Sequence, residues 1–167
     1  MNGKLKATLG VLVVVIATCA YLIVAQKSMA PALTVTTYQG QKLELNALRG
    51  KVLLVNFWAT SCTTCVKEMP ALVATHNKYA AQGYATVAIA MDYDVPGFIA
   101  AYAMKNALPF AVAHDADGTA AKAFGDIRLT PTTFLIDKQG HIIKRYLGAP
   151  DFAQLHAEIE ALLKAPA

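Results

Sequence analysis

Short segments of alternating or continuous apolar residues are spread along the chain, separated by turn residues. Segments 33–38 (LTVTTY) and 42–45 (KLEL) alternate around a Gln-Gly turn, which predicts a small β-hairpin. Segment 52–57 (VLLVNF) is almost continuously apolar, as is typical of a central strand that is buried on both faces. Four further strands are predicted at 84–91, 109–114, 132–137 and 141–147.

Helical spacing of apolar residues follows several of these strands. It runs from 62 to 81, and Pro70 inside this segment should kink the helix because proline removes a hydrogen bond. Asp94 is expected to cap a second helix that runs to about Asn106. Two more helices are predicted at 119–124 and after Asp151. Alternating strands and helices, closed by a hairpin and a helix, predict a three-layer α/β domain with a mixed sheet.

A different pattern occupies the N-terminus. Residues 7–25 carry no charge, and nineteen residues are enough to span a bilayer as a helix. Lys4 and Lys6 precede this run and only Lys27 follows it closely, so the N-terminus is expected in the cytoplasm and the remainder across the membrane. A cleaved signal peptide is the alternative, because 30–32 (APA) has the small-x-small cleavage pattern. The run exceeds the usual signal core of roughly 7–15 residues, which favours an uncleaved anchor.

The chain is therefore predicted to have three parts, which are a membrane anchor or signal peptide at 1–27, a linker at 28–32 and one folded domain at 33–167. Of the 15 Lys and Arg residues, three lie within 1–27, which leaves 12 basic against 11 acidic residues in the rest. Because this remainder is nearly neutral and has no basic run with interleaved aromatic residues, no nucleic-acid partner is predicted.

Cys62 and Cys65, in the segment WATSCTTC, directly follow the strand at 52–57. The third cysteine, Cys19, falls in the apolar N-terminal run. Open α/β sheets place their sites at the carboxyl ends of strands. A cysteine in the first helical turn faces unpaired N–H groups and the positive end of the helix dipole, which both favour the thiolate. Cys62 is therefore expected to attack a disulfide, and Cys65, one turn deeper, to resolve the mixed disulfide.

Other interpretations of the pair fit less well. A zinc site would need two further ligands, and haem attachment would need a histidine at Val66. Two inert buried cysteines are unexpected at an activated helix start. The four histidines stand singly, at 76, 114, 141 and 156. No metal and no cofactor are therefore predicted, although a module that holds copper(I) between the two thiolates stays open as an alternative, since soft thiolates suit copper(I).

The cysteine pair, Pro70 and the segment LTPTTFLID (129–137) together resemble the thioredoxin superfamily. More narrowly, segments 50–70 and 130–142 are similar to the membrane-anchored periplasmic TlpA/ResA/CcmG group of thiol–disulfide oxidoreductases, and the resemblance covers roughly 33–165. It implies a thioredoxin-like three-layer α/β/α sandwich with a mixed sheet, preceded by one transmembrane helix.

The resemblance also implies roles for site residues. Cys62 and Cys65 would form a redox disulfide, and Pro131 would be cis and lie against it. Thr130 would then offer its backbone to an extended substrate and its hydroxyl to the space near Cys62. A peroxide-reducing enzyme of the same fold is not expected, because Val55 and Ala59 replace the proline and the Thr or Ser of the peroxide pocket.

The function implied is that of an exported enzyme that exchanges disulfides with protein substrates, as a reductant in cytochrome c or copper-protein maturation. Its partners would be protein thiols and disulfides, and a transmembrane thiol electron donor of the DsbD or CcdA type. It would be anchored in the bacterial cytoplasmic membrane with its domain in the periplasm, or be soluble there after cleavage. A disulfide oxidant or isomerase is the alternative function.

Three departures from the group concern the surroundings of the pair. Ser61 stands where the group usually has a second tryptophan, which alters the exposed rim. Thr63 and Thr64 separate the cysteines, and a threonine hydroxyl near the thiolate would favour the reduced form. Asn56 occupies the position of the buried acid of thioredoxin. The strand at 84–91 lacks the glutamate that several relatives carry there.

The remaining candidates are given mainly structural roles. Glu68 and Lys67 are expected to face solvent, although Glu68 or water would be the available means of activating Cys65. Trp58 is expected either as a platform beside the site or as an ordinary core aromatic residue. Three further residues are expected to be structural or exposed, namely His76, Tyr79 and His141.

Overall fold

The computed structural model describes residues 28–166, so the predicted anchor at 1–27, with Cys19, lies outside the described residues. Within that range no helix combines the length and apolar character that a membrane crossing requires. The strands are β1 (Thr34–Thr37), β2 (Lys42–Glu44), β3 (Val52–Trp58), β4 (Tyr84–Ala90), β5 (Ala111–His114), β6 (Thr132–Ile136) and β7 (Ile142–Leu147). The α-helices are α1 (Thr63–Tyr79), α2 (Pro96–Lys105), α3 (Thr119–Ala123) and α4 (Phe152–Lys164).

The seven strands form one mixed sheet in the order β2-β1-β5-β4-β3-β6-β7. Strand β3 lies near its centre, parallel to β4 and antiparallel to β6, and every residue of β3 is buried. This burial explains its continuous apolar sequence, since a strand covered on both faces has no solvent side to mark with polar residues. The predicted mixed sheet is confirmed.

Helices cover both faces of the sheet. Alternate residues of β3 point to opposite sides, so Leu54 joins a cluster with residues of α1, α2 and α4, while Val55 and Phe57 join a second cluster with residues of α3 and the β1–β2 hairpin. The two clusters are the two cores of a three-layer arrangement, which agrees with the prediction.

The helix boundaries follow local signals with one exception. Helix α1 continues through Pro70, and a side-chain oxygen of Asp151 caps α4 by accepting from the Gln154 N–H at 3.0 Å. The prediction that Asp94 caps α2 is wrong. Val95 is the cap residue, and its side chain has no atom that could accept a hydrogen bond. The Asp94 carboxylate accepts instead from Thr60 and from the Val95 N–H.

Part of the predicted linker pairs with the turn between β6 and β7. The Ala30 N–H donates to the Gly140 carbonyl at 2.8 Å, and the Ile142 N–H donates to the Ser28 carbonyl at 2.7 Å. This turn lies beside the start of β3, because β6 runs antiparallel to β3 and Ile136 pairs with Leu53. Residues 28–30 are therefore attached at the end of the sheet opposite the carboxyl end of β3.

Candidate redox site

The cysteine pair lies where β3 passes into α1. A turn closes there with a hydrogen bond from the Cys62 N–H to the Ala59 carbonyl at 3.1 Å, and Cys62 becomes the N-cap of α1. Its sulfur accepts a hydrogen bond from the Cys65 N–H at 3.2 Å. A sulfur in this position takes the place that serine or aspartate oxygens occupy at other helix starts, where free N–H groups favour negative charge.

Cys62 and Cys65 form a disulfide, with their Cα atoms 5.3 Å apart. The two sulfurs differ in access. Cys65 has no exposed surface, whereas Cys62 is only partly buried. A partner molecule can therefore reach Cys62 but not Cys65.

The loop before β6 lies against Cys62. The Thr130–Pro131 peptide bond is cis, as the resemblance implied, and the Thr130 carbonyl oxygen is 3.6 Å from the Cys62 sulfur. The Pro131 carbonyl accepts from the Gly148 N–H at 2.9 Å, which ties the loop to the end of β7. Folding thus brings together two segments that are 68 residues apart in the sequence.

The other predicted neighbours of the pair divide into a core group and a surface group. Trp58 is fully buried and packs on Tyr102 with ring centroids 5.2 Å apart, so it is a core aromatic residue and offers no platform to a substrate. Ser61, Thr63 and Thr64 are exposed.

Glu68 is not solvent-facing as predicted. Only 4% of it is exposed, and its Oε1 accepts from Asn56 Nδ2 at 3.0 Å, while the same amide nitrogen donates to Thr133 Oγ1 at 2.9 Å. Its second oxygen, Oε2, has no hydrogen-bond partner among the residues that the structure describes. Burial raises the Glu68 pKa to about 7, against a smaller lowering by the Asn56 hydrogen bond. Lys67 is exposed, as expected.

The position of Glu68 could have been found from spacing. Residues three apart share one face of a helix, so Glu68 lies on the buried face that carries Cys65. Asn56 comes from β3 and Thr133 from β6, which are hydrogen-bonded neighbours with Asn56 opposite Thr133. A carboxyl group whose pKa is raised to about 7 is therefore held one helical turn beyond Cys65.

Asp94 holds the turn before Cys62, a contact that sequence reasoning missed. Its Oδ2 accepts from the Thr60 N–H and its Oδ1 from the Thr60 hydroxyl, both at 2.6 Å, and Oδ1 also accepts from the Val95 N–H at 2.9 Å. The residue is 7% exposed. The loop after β4 is thereby fastened to the segment that carries Cys62.

The same loop touches the cis-proline segment. The hydroxyl groups of Tyr93 and Thr130 are 3.3 Å apart, within hydrogen-bond distance. Thr130 is thus in contact with Tyr93 through its side chain and with Cys62 through its backbone carbonyl.

The residues expected to be structural lie in other contacts. Tyr79 is buried, and the half-buried His76 packs against Phe110 at 5.4 Å between ring centroids, where burial and the charge of Lys51 lower its pKa. His141 is 3.2 Å from Asp137 in the β6–β7 turn. Among residues 28–166, no group of three or more His, Cys, Asp or Glu side chains is arranged to hold a metal ion.

A cysteine pair with one accessible sulfur, set at a helix start beside a cis X–Pro loop, is the working part of thiol–disulfide oxidoreductases with a thioredoxin-like fold, and the chain is one of these enzymes. It belongs to the Redoxin family, which matches residues 25–162. Within the thioredoxin superfamily it is a TlpA/ResA/CcmG-like protein, as the resemblance indicated.

Three relatives illustrate the similarity. The thiol-disulfide oxidoreductase ResA of Bacillus thuringiensis subsp. konkukian is 37% identical over 136 residues, which are 80% of this chain and 76% of that protein. The solution structure of a putative thioredoxin from Neisseria meningitidis has a TM-score of 0.75 and 38% identity, covering 82% of this chain and 91% of that one. The crystal structure of a putative thiol:disulfide interchange protein DsbE from Chlorobium tepidum has a TM-score of 0.71 and 29% identity, covering 83% of this chain and 97% of that one.

Proposed function

We propose that the chain is an exported, membrane-tethered reductant of protein disulfides, in which Cys62 is the nucleophile and Cys65 the resolving cysteine. The unequal access of the two sulfurs carries this proposal. Only Cys62 is within reach of a substrate, and its sulfur accepts the Cys65 N–H at the positive end of α1. The hydrogen bond from the Cys65 N–H and the positive end of the helix both stabilise a thiolate at Cys62, where the attack begins.

The first step forms a mixed disulfide. The Cys62 thiolate of the reduced pair attacks one sulfur of the substrate disulfide, the substrate S–S bond breaks, and the other substrate sulfur leaves as a thiolate that takes a proton from water. The Thr130 backbone, beside the Cys62 sulfur, supports an extended substrate segment during this step.

The second step releases the substrate. The Cys65 thiol gives its proton to the Glu68 carboxylate, and the resulting thiolate attacks the Cys62 sulfur. The Cys62–Cys65 bond forms, the bond to the substrate breaks, and the second substrate sulfur leaves as a thiolate. Two electrons have then passed to the substrate. A Glu68 pKa of about 7 suits this transfer, since both protonation states are populated near neutral pH.

The pathway is proposed from the relatives. The similar proteins carry the names ResA and DsbE, and the resemblance implies a reductant for apocytochrome c or a copper-site protein. A transmembrane thiol donor would regenerate the reduced pair. Residues 7–25 would anchor the domain on the outer side of the cytoplasmic membrane, in the periplasm.

A mixed-disulfide trap tests the proposal. The Cys65→Ala variant of the full chain, made with Cys19→Ala so that Cys62 is the only thiol, is expressed in the native host. Proteins bonded to Cys62 are then recovered under non-reducing conditions. Capture of an apocytochrome or a copper-site protein, released by dithiothreitol, is the expected result. The matched control adds Cys62→Ala and should capture nothing.

The direction of electron flow needs a second measurement. The reduced full chain, also with Cys19→Ala, is mixed with an oxidised dithiol protein, and free thiols on both are counted as the reaction proceeds. Transfer of two electrons to the substrate supports the reductant. If only the oxidised chain reacts, by oxidising reduced substrates, or if Cys62→Ser retains full activity, the proposal is wrong in direction or in the role of Cys62, respectively.

A further inference from the structure

Charged side chains are unevenly distributed between the two ends of the sheet. The chain after Lys27 carries 12 basic and 11 acidic residues, so it is nearly neutral as a whole. At the end where β3 begins, however, five basic residues lie close together, and we call them the basic pole: Arg49, Lys51, Lys78, Lys138 and Lys164. Two acidic residues lie at this end of the described chain, Asp137 and Glu160, which leaves a surplus of three positive charges.

The opposite end, where β3 leads into the cysteine pair, has the reverse composition. Loops at that end follow β4, β5 and β7 and precede β6. They carry six aspartates, at 92, 94, 115, 117, 126 and 151, whereas these loops and the helices beside them carry three basic residues, Lys67, Lys122 and Arg128. The basic surplus is therefore a property of one end and not of the whole domain.

Backbone contacts place Arg49 and Lys51 beside Lys138. The Gly50 N–H, between Arg49 and Lys51, donates to the Lys138 carbonyl in the β6–β7 turn at 2.8 Å. Arg49 and Lys51 are exposed, and neither forms an ion pair with any residue in the range 28–166. Their charges consequently face solvent next to that of Lys138.

Side-chain contacts extend the basic pole to the ends of α1 and α4. The Lys138 ammonium donates to the carbonyls of Leu163 and Ala165 at 2.8 and 2.7 Å, on either side of Lys164. Lys164 is exposed, and it lines a groove between α1 and α4 together with Lys78. The five basic residues thus belong to one continuous surface.

The two acidic residues at this end are already engaged. Glu160 pairs with Lys78 at 3.2 Å. Asp137 is only 7% exposed, and its Oδ1 accepts the His141 N–H at 2.8 Å. Neither carboxylate neutralises the exposed basic side chains around it, so those charges stay available to an anionic partner.

The proposed membrane span would join the domain at this same end. Residues 28–30 are bonded to the β6–β7 turn, and the apolar run ends at residue 25. Three residues of fully extended chain reach at most about 11 Å. The negative potential of an anionic bilayer extends over a Debye length, which is about 8–10 Å near physiological ionic strength. The span would therefore hold the basic pole within or next to the field of the lipid headgroups.

We propose that the basic pole binds the anionic headgroups of the bilayer that holds the anchor. This inference rests on the proposed membrane tether and is independent of the direction of electron flow. The occupant is a lipid surface and not a soluble anion, because the tether would bring the headgroups within about 11 Å of residue 28. Each exposed guanidinium or ammonium group should strengthen the attraction to such a surface about fivefold.

Lysine acylation in nanodiscs tests the basic pole. The full chain is placed in nanodiscs of phosphatidylglycerol or of phosphatidylcholine, and the acylation rate of each lysine is measured by mass spectrometry. Headgroup contact shields Lys164, so its rate should be about tenfold lower in phosphatidylglycerol. Lys122, at the opposite end, should react equally fast in both lipids. Sodium chloride at about 0.5 M should remove most of the difference, because it shortens the screening length.

Paired substitutions separate headgroup contact from mere proximity to the bilayer. Arg49→Gln combined with Lys51→Gln removes two charges from the basic pole and keeps the tether. It should reduce the slowing of Lys164 acylation to less than about twofold. The matched control, Lys67→Gln combined with Lys122→Gln, removes two exposed charges at the opposite end and should keep the tenfold slowing.

Two further readouts on the same samples keep the conclusions apart: whether the chain stays with the nanodisc, and whether it reduces a protein disulfide. Equal Lys164 rates in the two lipids, or an equal loss of protection in both paired variants, overturn the basic pole while the tether and the enzyme stand. If the chain separates from the nanodiscs, the tether fails and the basic pole fails with it. Absence of disulfide reduction, with Lys164 still protected, refutes the proposed enzyme alone.

Discussion

Two buried carboxyl groups flank the cysteine pair and differ in how they are satisfied. Glu68 lies on the inner side, 4% exposed, and accepts one hydrogen bond, from Asn56. Asp94 lies on the loop side, 7% exposed, and accepts three, two from Thr60 and one from Val95. The exposed fractions of Glu68 and Asp94 are nearly equal, so the two carboxyl groups differ mainly in the number of hydrogen-bond donors around them.

The difference indicates that the number of hydrogen bonds that a buried carboxylate accepts governs whether it serves as a structural contact or as a proton acceptor. Three donors offset the loss of water around the Asp94 carboxylate, so it can serve as a fixed structural tie. One donor is insufficient for Glu68, and its pKa rises to about 7. Glu68 is therefore suited to moving a proton, and Asp94 to holding the turn that carries Cys62. Substitutions at the two acids and at their hydrogen-bonding partners test this difference.

Replacing Asp94 with alanine should destabilise the fold most. The change leaves the Thr60 N–H, the Thr60 hydroxyl and the Val95 N–H without their acceptor, and each unsatisfied group costs about 1–3 kcal/mol. We expect the free energy of unfolding of the oxidised protein to fall by about 4 kcal/mol. Denaturant unfolding followed by the fluorescence of Trp58, the single tryptophan, measures it.

Asp94→Asn is the matched control. It keeps one acceptor oxygen, so its free energy of unfolding should fall by about half as much as that of Asp94→Ala. If both variants unfold with the wild-type free energy, within about 0.5 kcal/mol, the Asp94 contacts do not tie the turn down and the contrast with Glu68 disappears.

Replacing Glu68 with glutamine should change how stability depends on pH. The pKa of Glu68 is higher in the folded state, about 7, than its ordinary value of 4.5. Between these values the folded state binds the extra proton, so wild-type stability falls as pH rises through this window. Glutamine does not ionise. As pH rises from 4 to 8, the free energy of unfolding of Glu68→Gln should therefore increase by up to about 3 kcal/mol relative to that of the wild type.

Unfolding curves collected at several pH values provide this measurement. Glu44→Gln, at an exposed position on β2, controls for the loss of one carboxyl group. Parallel stability curves for the wild type and Glu68→Gln would falsify the raised pKa and, with it, the proton-transfer role.

Replacing Thr60 with valine tests the contact between Thr60 and Asp94 by changing the donor instead of the acceptor. The variant keeps the backbone N–H but removes the hydroxyl that donates to Asp94 Oδ1 at 2.6 Å. A loss of about 1.5 kcal/mol in unfolding free energy is expected for one hydrogen bond to a charged group. Thr60→Ser keeps the hydroxyl and removes only the methyl group, so it should lose less stability than Thr60→Val. Wild-type stability in Thr60→Val would show that the hydroxyl bond to Asp94 does not hold the turn.

Replacing Thr133 with valine has the smallest expected effect. Asn56 Nδ2 donates to both Thr133 and Glu68, so the variant removes one acceptor and leaves the other. We expect about 1 kcal/mol of destabilisation by thermal or denaturant unfolding. Thr133→Ser, which keeps the hydroxyl, should stay close to wild type. No difference between the two variants would show that Asn56 depends on Glu68 alone.

The order of strands and helices could be predicted because its signals are local. The strand at 52–57, the turn residues and the cap at Asp151 each act within a few positions of the chain. The cysteine pair was equally visible, since a strand end followed by a helix start defines its surroundings. The cis Thr130–Pro131 bond required the resemblance, because an X–Pro bond in sequence is compatible with either isomer.

The two acids differ in how far the sequence could assign them. Lys67 and Glu68 look alike as neighbouring charged residues of a helix, and the three-residue spacing from Cys65 is the one local sign that Glu68 turns inward, to its contact with Asn56 on β3. Asp94 precedes a helix and resembles a cap, yet its donor Thr60 is 34 residues away in the sequence. Contacts of this kind exist only after the sheet has brought distant segments together.

The pairing of residues 28–30 with the β6–β7 turn bears on how the Cys62 sulfur would be oriented relative to a membrane anchor. That turn lies beside the start of β3, a strand of seven residues, and Cys62 follows four residues after the strand's last residue, Trp58. At about 3.3 Å per residue, the strand separates the two ends by about 20 Å. A membrane tether at 7–25, as proposed, would thus hold the domain by its far end. The Cys62 sulfur would then face away from the bilayer, toward partners that approach from the periplasm.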